Sequence, residues 1–290
     1  MPEMQLPAGE DVFARQGKVA LFHQLGVKVD LMTVPVPRYF AWLDDMKGNL
    51  QRLVPGAEIA EKPDARVAPV LNTGVYYDTD DYRVVETGSL IRTTCAVTHA
   101  FCAFKLRNDG NEVRKDHRYV FQGRERAAIQ AAPTSKEAVE IVQRLLARTD
   151  IEHPGTFLQR HHGIDPTTVR PAILVKRHIS SFYVWLDKRD ALRCPMDRVY
   201  VSDLRAPESG RRLLPFREVE LMIYPHVAPE VAKDRRLVRV IEVLAASLRE
   251  QLGAPITTEI KYQRGMRTLG LYPVQRASQP ADGLHSLPGR

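Results

Sequence analysis

Charged residues set into the middle of strand-like segments are where this sequence could do chemistry. Arg92 follows Ser-Leu-Ile, Lys105 and Arg107 alternate in Ala-Phe-Lys-Leu-Arg, and Arg118 begins Arg-Tyr-Val-Phe. Lys176 and Arg177 follow Ala-Ile-Leu-Val, and Glu218 and Glu220 alternate in Arg-Glu-Val-Glu-Leu. Lys261 and Arg264 sit in Glu-Ile-Lys-Tyr-Gln-Arg-Gly, read here as a further strand. Side chains two apart on a strand share a face, so Lys105/Arg107 and Glu218/Glu220 each form a same-face pair. If such faces line one closed barrel, the Lys and Arg repel one another unless an anion fills the space, and a carboxylate pair beside it can hold a divalent cation. A polyanion beside a metal means phosphates. An open sheet with solvated faces carries the same charges with no ligand at all, and spacing alone does not choose between the two.

The elements that would position these residues follow from periodicity. Residues 26–34 alternate as a strand, and Pro35 and Pro37 open a helix through Arg-Tyr-Phe-Ala-Trp-Leu, with Trp42 as a core residue. From Val70 to about Val120, four short alternating segments separated by Asp-, Gly- and Asn-containing turns predict an antiparallel meander. Thr134 to Glu137 has capping-box spacing, and apolar residues at 138, 139, 141, 142, 145 and 146 form one helical face. Three more strand-like segments follow within 170–224, and Pro229 opens an amphipathic helix to about Leu252, stopped by Gly253. Segments 55–70 and 150–168 carry no regular pattern. Strands grouped in meanders predict an α+β fold with a mostly antiparallel sheet or barrel. Residues 1–18 and 276–290, rich in Pro, Gly, Ser and charge, are expected to be mobile tails around one domain at 19–275.

Composition bounds the function. The 290 residues are 44% hydrophobic and 27% charged, an ordinary globular balance. Lys and Arg number 42 against 35 Asp and Glu, a net charge of +7 that favours an anionic partner. Cys95, Cys102 and Cys194 lack Cys-x-x-Cys spacing and read as reduced thiols, which predicts a cytoplasmic protein. No apolar run approaches the roughly 20 residues of a membrane span, and the acidic opening residues predict no secretion signal. No Gly-x-x-x-x-Gly-Lys-Ser/Thr loop is present, which excludes a P-loop nucleotidase. Asp78, Asp80 and Asp81 read as turn residues, and His161 and His162, with His153 nearby, as solvated loop histidines.

The ordered set Tyr76-Tyr77-Asp78-Thr79-Asp80, Gly88-Ser-Leu-Ile-Arg92, Phe104-Lys105, Lys115, Arg118, Arg170 to Arg177, Asp203, Glu218-Val-Glu220 and Lys261-Tyr-Gln-Arg-Gly265 resembles the CYTH and polyphosphate-polymerase (VTC-like) superfamily of triphosphate tunnel metalloenzymes. The resemblance spans about residues 26–266. It implies an antiparallel eight-stranded β-barrel with flanking helices, whose basic interior binds triphosphate, polyphosphate or a nucleoside triphosphate beside Mg²⁺ or Mn²⁺. Carried over by position, Arg92, Lys105, Arg118, Lys176 or Arg177, Lys261 and Arg264 would be phosphate ligands, with Arg107 joining through its pairing with Lys105. Glu218 and Glu220 would be the catalytic metal ligands. The implied reaction is hydrolysis, with polyphosphate polymerase and nucleotidyl cyclase as alternatives in the same architecture. One departure stands out: the family's first strand carries Glu-x-Glu-x-Lys, whereas this chain reads Lys28-Val-Asp30-Leu-Met32. Asp30 can replace one carboxylate, and Lys28 puts a cation where a metal ligand is expected.

A noncatalytic polyphosphate- or nucleic-acid-binding module is the reading from a different class. It would use surface clusters at Arg124 and Arg126, at Arg211, Arg212 and Arg217, and at Lys233 to Arg236 with Arg239. Aromatic residues do not interleave with these clusters, which counts against single-strand binding.

Overall fold

Alternating apolar residues build one antiparallel sheet, and amphipathic helices cover its outer face. The computed structural model describes residues 26–107, 115–148, 154–231 and 233–271. The expected tails, the domain end at 275 and His153 lie outside the described residues. The strands are β1 (Gly26–Asp30), β2 (Ala57–Glu61), β3 (Val70–Asp78), β4 (Leu90–Cys95), β5 (Ala100–Leu106), β6 (Lys115–Val120), β7 (Arg170–Leu186), β8 (Arg189–Asp203), β9 (Leu214–Ile223) and β10 (Ile256–Thr257). The helices are α1 (Val36–Leu53), α2 (Arg83–Glu86), α3 (Gly123–Ala131), α4 (Lys136–Leu146), α5 (Pro154–His162), α6 (Arg236–Leu252) and α7 (Lys261–Thr268).

The fold is α+β and its sheet antiparallel, as expected. The strand order is β10-β1-β9-β8-β7-β3-β4-β5-β6, with β2 added beside β7. Eight strands carry the alternation seen in the sequence. The short β2 and the two-residue β10 are additions that pattern does not reveal. Among the described residues β10 and β6 end the sheet and do not pair with each other, so no ring of hydrogen bonds closes it.

The spine is the β7–β8 hairpin. Its turn residues Asp187 and Lys188 have φ of 50° and 65°, the left-handed pair of a type I′ turn, whose twist matches the flanking strands. Asp187 is held by its N–H to Gly56 O at 2.9 Å and by Arg236 Nη2 at 2.7 Å from Oδ2.

Even-numbered residues from Leu174 to Val184 of β7 and from Leu192 to Ser202 of β8 face outward. In one half, Phe182, Val184, Leu192, Val219 and Leu221 pack against Trp42, Met46 and Leu50 of α1 and Leu244 and Leu248 of α6. Trp42 Nε1 donates to Ser247 Oγ at 2.9 Å, which pins the two helices together. In the other half, Val75, Tyr77, Ile91, Cys102 and Phe104 pack under α3, α4 and α5. The inner face is left to the charged strand residues and to α7, whose Ile260 side, Tyr262 and Met266 pack on Tyr76, Val175, Val199, Val201 and Phe216.

Four local expectations are corrected. Residues 261–268 form helix α7 rather than a strand, because Gln263 Oε1 accepts the Ile260 N–H at 3.2 Å and starts a helix there. Helix α4 is capped by Ser135, whose Oγ accepts from Ala138 N, one residue later than the Thr134 box predicts. Helix α6 begins at Arg236, since Pro229 lies in a short 3-10 turn; Gly253, at φ 67°, does stop it. The histidines at 161 and 162 lie on the last turn of α5 rather than in a loop, with His161 against the Phe157 ring and His162 Nε2 at 2.8 Å from Arg107 O.

Because Trp42 and Leu244 are fully packed between helix and sheet, Trp42→Ala is expected to destabilise by about 3–5 kcal/mol and Leu244→Ala by about 2–5 kcal/mol. Urea denaturation read by circular dichroism checks this as a lowered midpoint with unchanged slope.

Candidate functional site

Cross-strand register decides which charged residues meet. Lys28 lies opposite Glu220 and Asp30 opposite Glu218, Asp197 lies opposite Glu218, and Arg177 opposite Val199, two residues from Asp197. Asn72 faces Arg177 and Tyr76 faces Arg92; Arg92 then lies opposite Ala103, and Ala103 opposite Arg118. Residues directly opposite, or two apart along one strand, share a face. The inner face therefore gathers Lys28, Asp30, Arg92, Lys105, Arg118, Arg177, Asp197, Glu218 and Glu220. Lys176 is opposite Thr73 and Tyr200, faces outward and is exposed, so Arg177 is the one of the pair that points in. Arg107 is exposed, one residue past the end of β5.

Helix α7 supplies the rest. On a strand, Lys261 and Arg264 would point to opposite sides; three apart on a helix they share one. Gly265 lets the helix lie close, since a Cβ there would stand 2.9 Å from Ile173 Cδ1 and 3.3 Å from Val201 Cγ1. The Tyr262 ring stacks on Tyr76 with centroids 4.6 Å apart. Its hydroxyl donates to Asp78 Oδ2 at 2.9 Å. Asp78 also accepts the N–H groups of Thr79, Val84 and Val85 at 2.8, 2.7 and 3.0 Å, so it ties α2, its own turn and α7 together. The turn role expected of Asp78 is thus also an anchor for α7. Burial nevertheless outweighs these bonds and raises the Asp78 pKa.

At the centre stands an ionic cluster. Lys261 Nζ lies 2.6 Å from Asp197 Oδ2 and 2.9 Å from Glu220 Oε1, and it also contacts Glu218 Oε1. Arg177 Nη2 is 2.7 Å from Asp197 Oδ2. Arg264 sends Nη1 to Glu218 Oε2 at 3.0 Å and Nη2 to Asp30 Oδ1 at 2.7 Å, with its guanidinium 5.0 Å from the Phe216 ring centroid. Lys28 Nζ is 4.0 Å from Glu220 Oε1. Burial pulls the Lys261 pKa down, but the charges of Asp197, Glu218 and Glu220 more than reverse this and hold it raised. Arg177 is raised in the same way, with Asp197 and Glu220 overcoming burial. Burial pushes Asp197 and Glu220 upward, yet Arg177 and Lys261 for the first, and Lys261 and Lys28 for the second, leave both lowered.

Asp197, Glu218 and Glu220 offer oxygens within 4.8 Å of one another. Asp197, which the sequence did not single out, thus takes the third place expected for Asp30; Asp30 is bound to Arg264 instead. The sequence signal was an acidic residue opening the strand-like segment Asp-Arg-Val-Tyr-Val-Ser-Asp-Leu. Three carboxylates are the hard-oxygen set that Mg²⁺ and Mn²⁺ take, and among the described residues the buried Asp197 Oδ1 has no hydrogen-bond partner. The position between them, however, is taken by the Lys261 ammonium. As arranged, the cluster does not admit a divalent ion.

Outside the cluster Arg92 meets Tyr76, through Nη1 to the hydroxyl at 3.4 Å and across the ring, and among the described residues its buried Nε has no hydrogen-bond partner. Arg118 lies 5.3 Å from the Phe101 ring centroid. The outer basic clusters make local contacts: Arg236 with Asp234 and Asp187, Arg217 with Leu31 O and Met32 O, Arg211 with Leu204 O and Ala206 O, Arg124 with Glu137, and Arg239 with Glu242. Among the described residues no helix is long and apolar enough to cross a membrane.

No protein-family model matches the chain, and no curated protein matches it in sequence. Among solved structures, the chain is similar to a proposed adenylate cyclase from Bacillus halodurans, with 12% identity, coverage of 83% of this chain and 96% of that one, and a TM-score of 0.44. It is also similar to HpAC1 from Hippeastrum, a proposed adenylyl cyclase described with a dominant triphosphatase activity, with 15% identity, coverage of 83% and 94%, and a TM-score of 0.42. A proposed adenylate cyclase from Vibrio parahaemolyticus follows, with 12% identity, coverage of 85% and 97%, and a TM-score of 0.39. Similarity at this level leaves the chemistry to this chain's own residues.

The cluster has a pH signature. Asp197 and Glu220 are lowered from 3.8 and 4.5, so as pH falls the unfolded chain takes up protons first, and their stabilising share, complete at neutral pH, is lost below about pH 4.5. Lys261 has the opposite sign: its raised pKa keeps its share intact through neutral pH. Asp78, raised from 3.8, partly offsets the acid loss. Asp197→Asn strips Arg177 and Lys261 of a buried partner and is expected to cost about 3–5 kcal/mol at pH 7. It should also flatten the fall between pH 5 and pH 3, which urea denaturation across that range would register.

Proposed function

We propose that the inner face holds a linear tri- or polyphosphate, as the free chain or as part of a nucleoside triphosphate, and that the protein acts on its terminal phosphoryl group. The observation that carries this reading is the gathering of Arg92, Lys105, Arg118 and Arg177, from four strands, with Lys261 and Arg264 from α7 on one face. Among the described residues Arg92 has no carboxylate partner, which leaves its fork for an incoming anion.

Phosphoryl transfer needs positioning and charge neutralisation more than covalent help. Arg forks can take two phosphate oxygens each, and Lys supplies a point charge. With water as acceptor, the water oxygen bonds to the terminal phosphorus as the bridging P–O bond breaks, and the shortened chain leaves with the bridging oxygen. No side-chain nucleophile is required, and Asp197 and Glu220, held ionised by their cations, act by organising Lys261 and Arg177. Polymerase and cyclase chemistry would use the same cradle with a different nucleophile.

A second reading, a phosphate-binding module without turnover, is favoured by the internal pairing of the cluster, where each carboxylate already has a cation. Phosphate release from tripolyphosphate and ATP, measured with Mg²⁺, Mn²⁺ and chelator beside a thermal-shift titration, separates the two. Release establishes turnover; stabilisation alone establishes the module; no response to either sinks the phosphate reading.

Under the proposal, Arg92→Ala and Lys105→Ala each weaken tripolyphosphate binding by roughly 10- to 100-fold, the value of one charge-assisted contact. The outer substitution Arg235→Ala leaves it unchanged. Isothermal titration at fixed salt distinguishes these outcomes from a nucleic-acid surface, for which the order of effects would reverse.

A further inference from the structure

We propose that Lys261 is a tethered counter-ion that keeps divalent metals out of the Asp197–Glu218–Glu220 cluster, and that the cluster accepts a metal only after a phosphate chain has drawn the lysine away. The second clause rests on the phosphate reading given above; the first does not.

Geometry makes the two cations mutually exclusive. An ammonium has three N–H donors, and Lys261 Nζ has three carboxylates around it, with Asp197 at 2.6 Å, Glu220 at 2.9 Å and Glu218 in contact. A divalent ion bound to the same oxygens would lie at about 2.0–2.6 Å from each, in the space the nitrogen fills.

Charge makes the exclusion strong. Asp30, Asp197, Glu218 and Glu220 are matched by Lys28, Arg177, Lys261 and Arg264, so the cluster is already neutral. Adding a divalent ion beside Lys261 would leave two uncompensated positive charges in a site where Asp197, Glu218 and Arg264 are almost wholly out of water. Exchanging Lys261 for the ion leaves one, and an incoming phosphate oxygen cancels it.

The lysine is also placed to move. It is the first residue of α7, where a cation faces the positive end of the helix dipole, so its position there depends on the carboxylates rather than on the helix. Its four-carbon stem carries the ammonium several ångströms without backbone motion. A cavity of about 60 Å³, lined by Lys28, Glu220 and Met222 among others, lies against the cluster and gives a small hydrated ion an approach. Asp197 Oδ1, buried and without a hydrogen-bond partner among the described residues, is the oxygen a metal would gain and the ammonium leaves unused.

The test is Mn²⁺ binding, followed by electron paramagnetic resonance, to the wild-type chain and to Lys261→Met without any phosphate. The wild type should bind weakly, and Lys261→Met at least about tenfold more tightly, a typical size for a coupling of this kind. If Lys261→Met folds only with Mn²⁺ present, as judged by circular dichroism, the metal has replaced the ammonium and the exclusion stands. If wild type binds one Mn²⁺ as tightly as Lys261→Met, or if that variant cannot be folded and wild type binds Mn²⁺ in the low micromolar range, the exclusion is overturned.

The second clause is read from wild type titrated with tripolyphosphate in the absence of metal, by acylation of Lys261 followed by mass spectrometry. Labelling of Lys261 that rises with tripolyphosphate and levels off as binding saturates supports displacement. Binding of tripolyphosphate with unchanged protection of Lys261 overturns displacement alone. Absence of any tripolyphosphate binding, with Lys261→Met still gaining Mn²⁺, overturns the phosphate reading while the exclusion survives.

Discussion

Four carboxylates face inward from β1, β8 and β9, and burying them together requires the cations that meet them from β1, β7 and α7. Asp197 and Glu218 are direct cross-strand neighbours, a like-charged pair that is destabilising unless bridged. Lys261 bridges it, and Arg177 and Arg264 brace it from either side. That bridge joins α7 to β8 and β9, beside the Tyr262 contacts with Asp78 and Tyr76 that also hold the helix. Apolar contacts from Tyr262 and Met266 seat the same helix against the sheet.

This arrangement separates two tasks between the faces of one sheet. The outer face holds the molecule together through α1, α6 and the α3–α5 group, by burial that tolerates changes of residue as long as volume is kept. The inner face is polar, and its residues are constrained in number and sign as well as in size. A substitution outside acts through packing, whereas one inside also changes the balance of buried charge.

The sequence showed the strands of the sheet well, because period-two alternation is a direct image of one buried and one polar face. Eight strands follow from it, and α1, α4 and α6 follow from proline starts, capping spacing and apolar residues at helical spacing. It also placed Arg92, Lys105, Arg118, Arg177, Glu218 and Glu220 on strands whose register then brings them to one face. Lys261 and Arg264 were picked out by type but set on a strand, since Ile-Lys-Tyr-Gln-Arg has strand composition and only the Gln263 bond to the Ile260 N–H makes it a helix start. Asp197 went unnoticed because its importance lies in facing Glu218 across a ladder, a relation between residues 21 positions apart that no local pattern records. Lys176 and Arg177 differ only in parity, and parity needs a register to give it direction.

The long β7–β8 hairpin, turned at Asp187 and Lys188, bears on the order in which the molecule is assembled. Its pairing is local and can zip from the turn outward, as can the β3–β4 and β4–β5 pairs, so the middle of the sheet is available early. Strand β1 is different: residues 26–30 meet 218–222, and α7 must then dock across both. The entropy of closing so large a loop places that step last. The ionic cluster is completed only when β1 and α7 arrive, so a chain interrupted in folding would possess its helical layers and its central strands while lacking the one place where charge is concentrated.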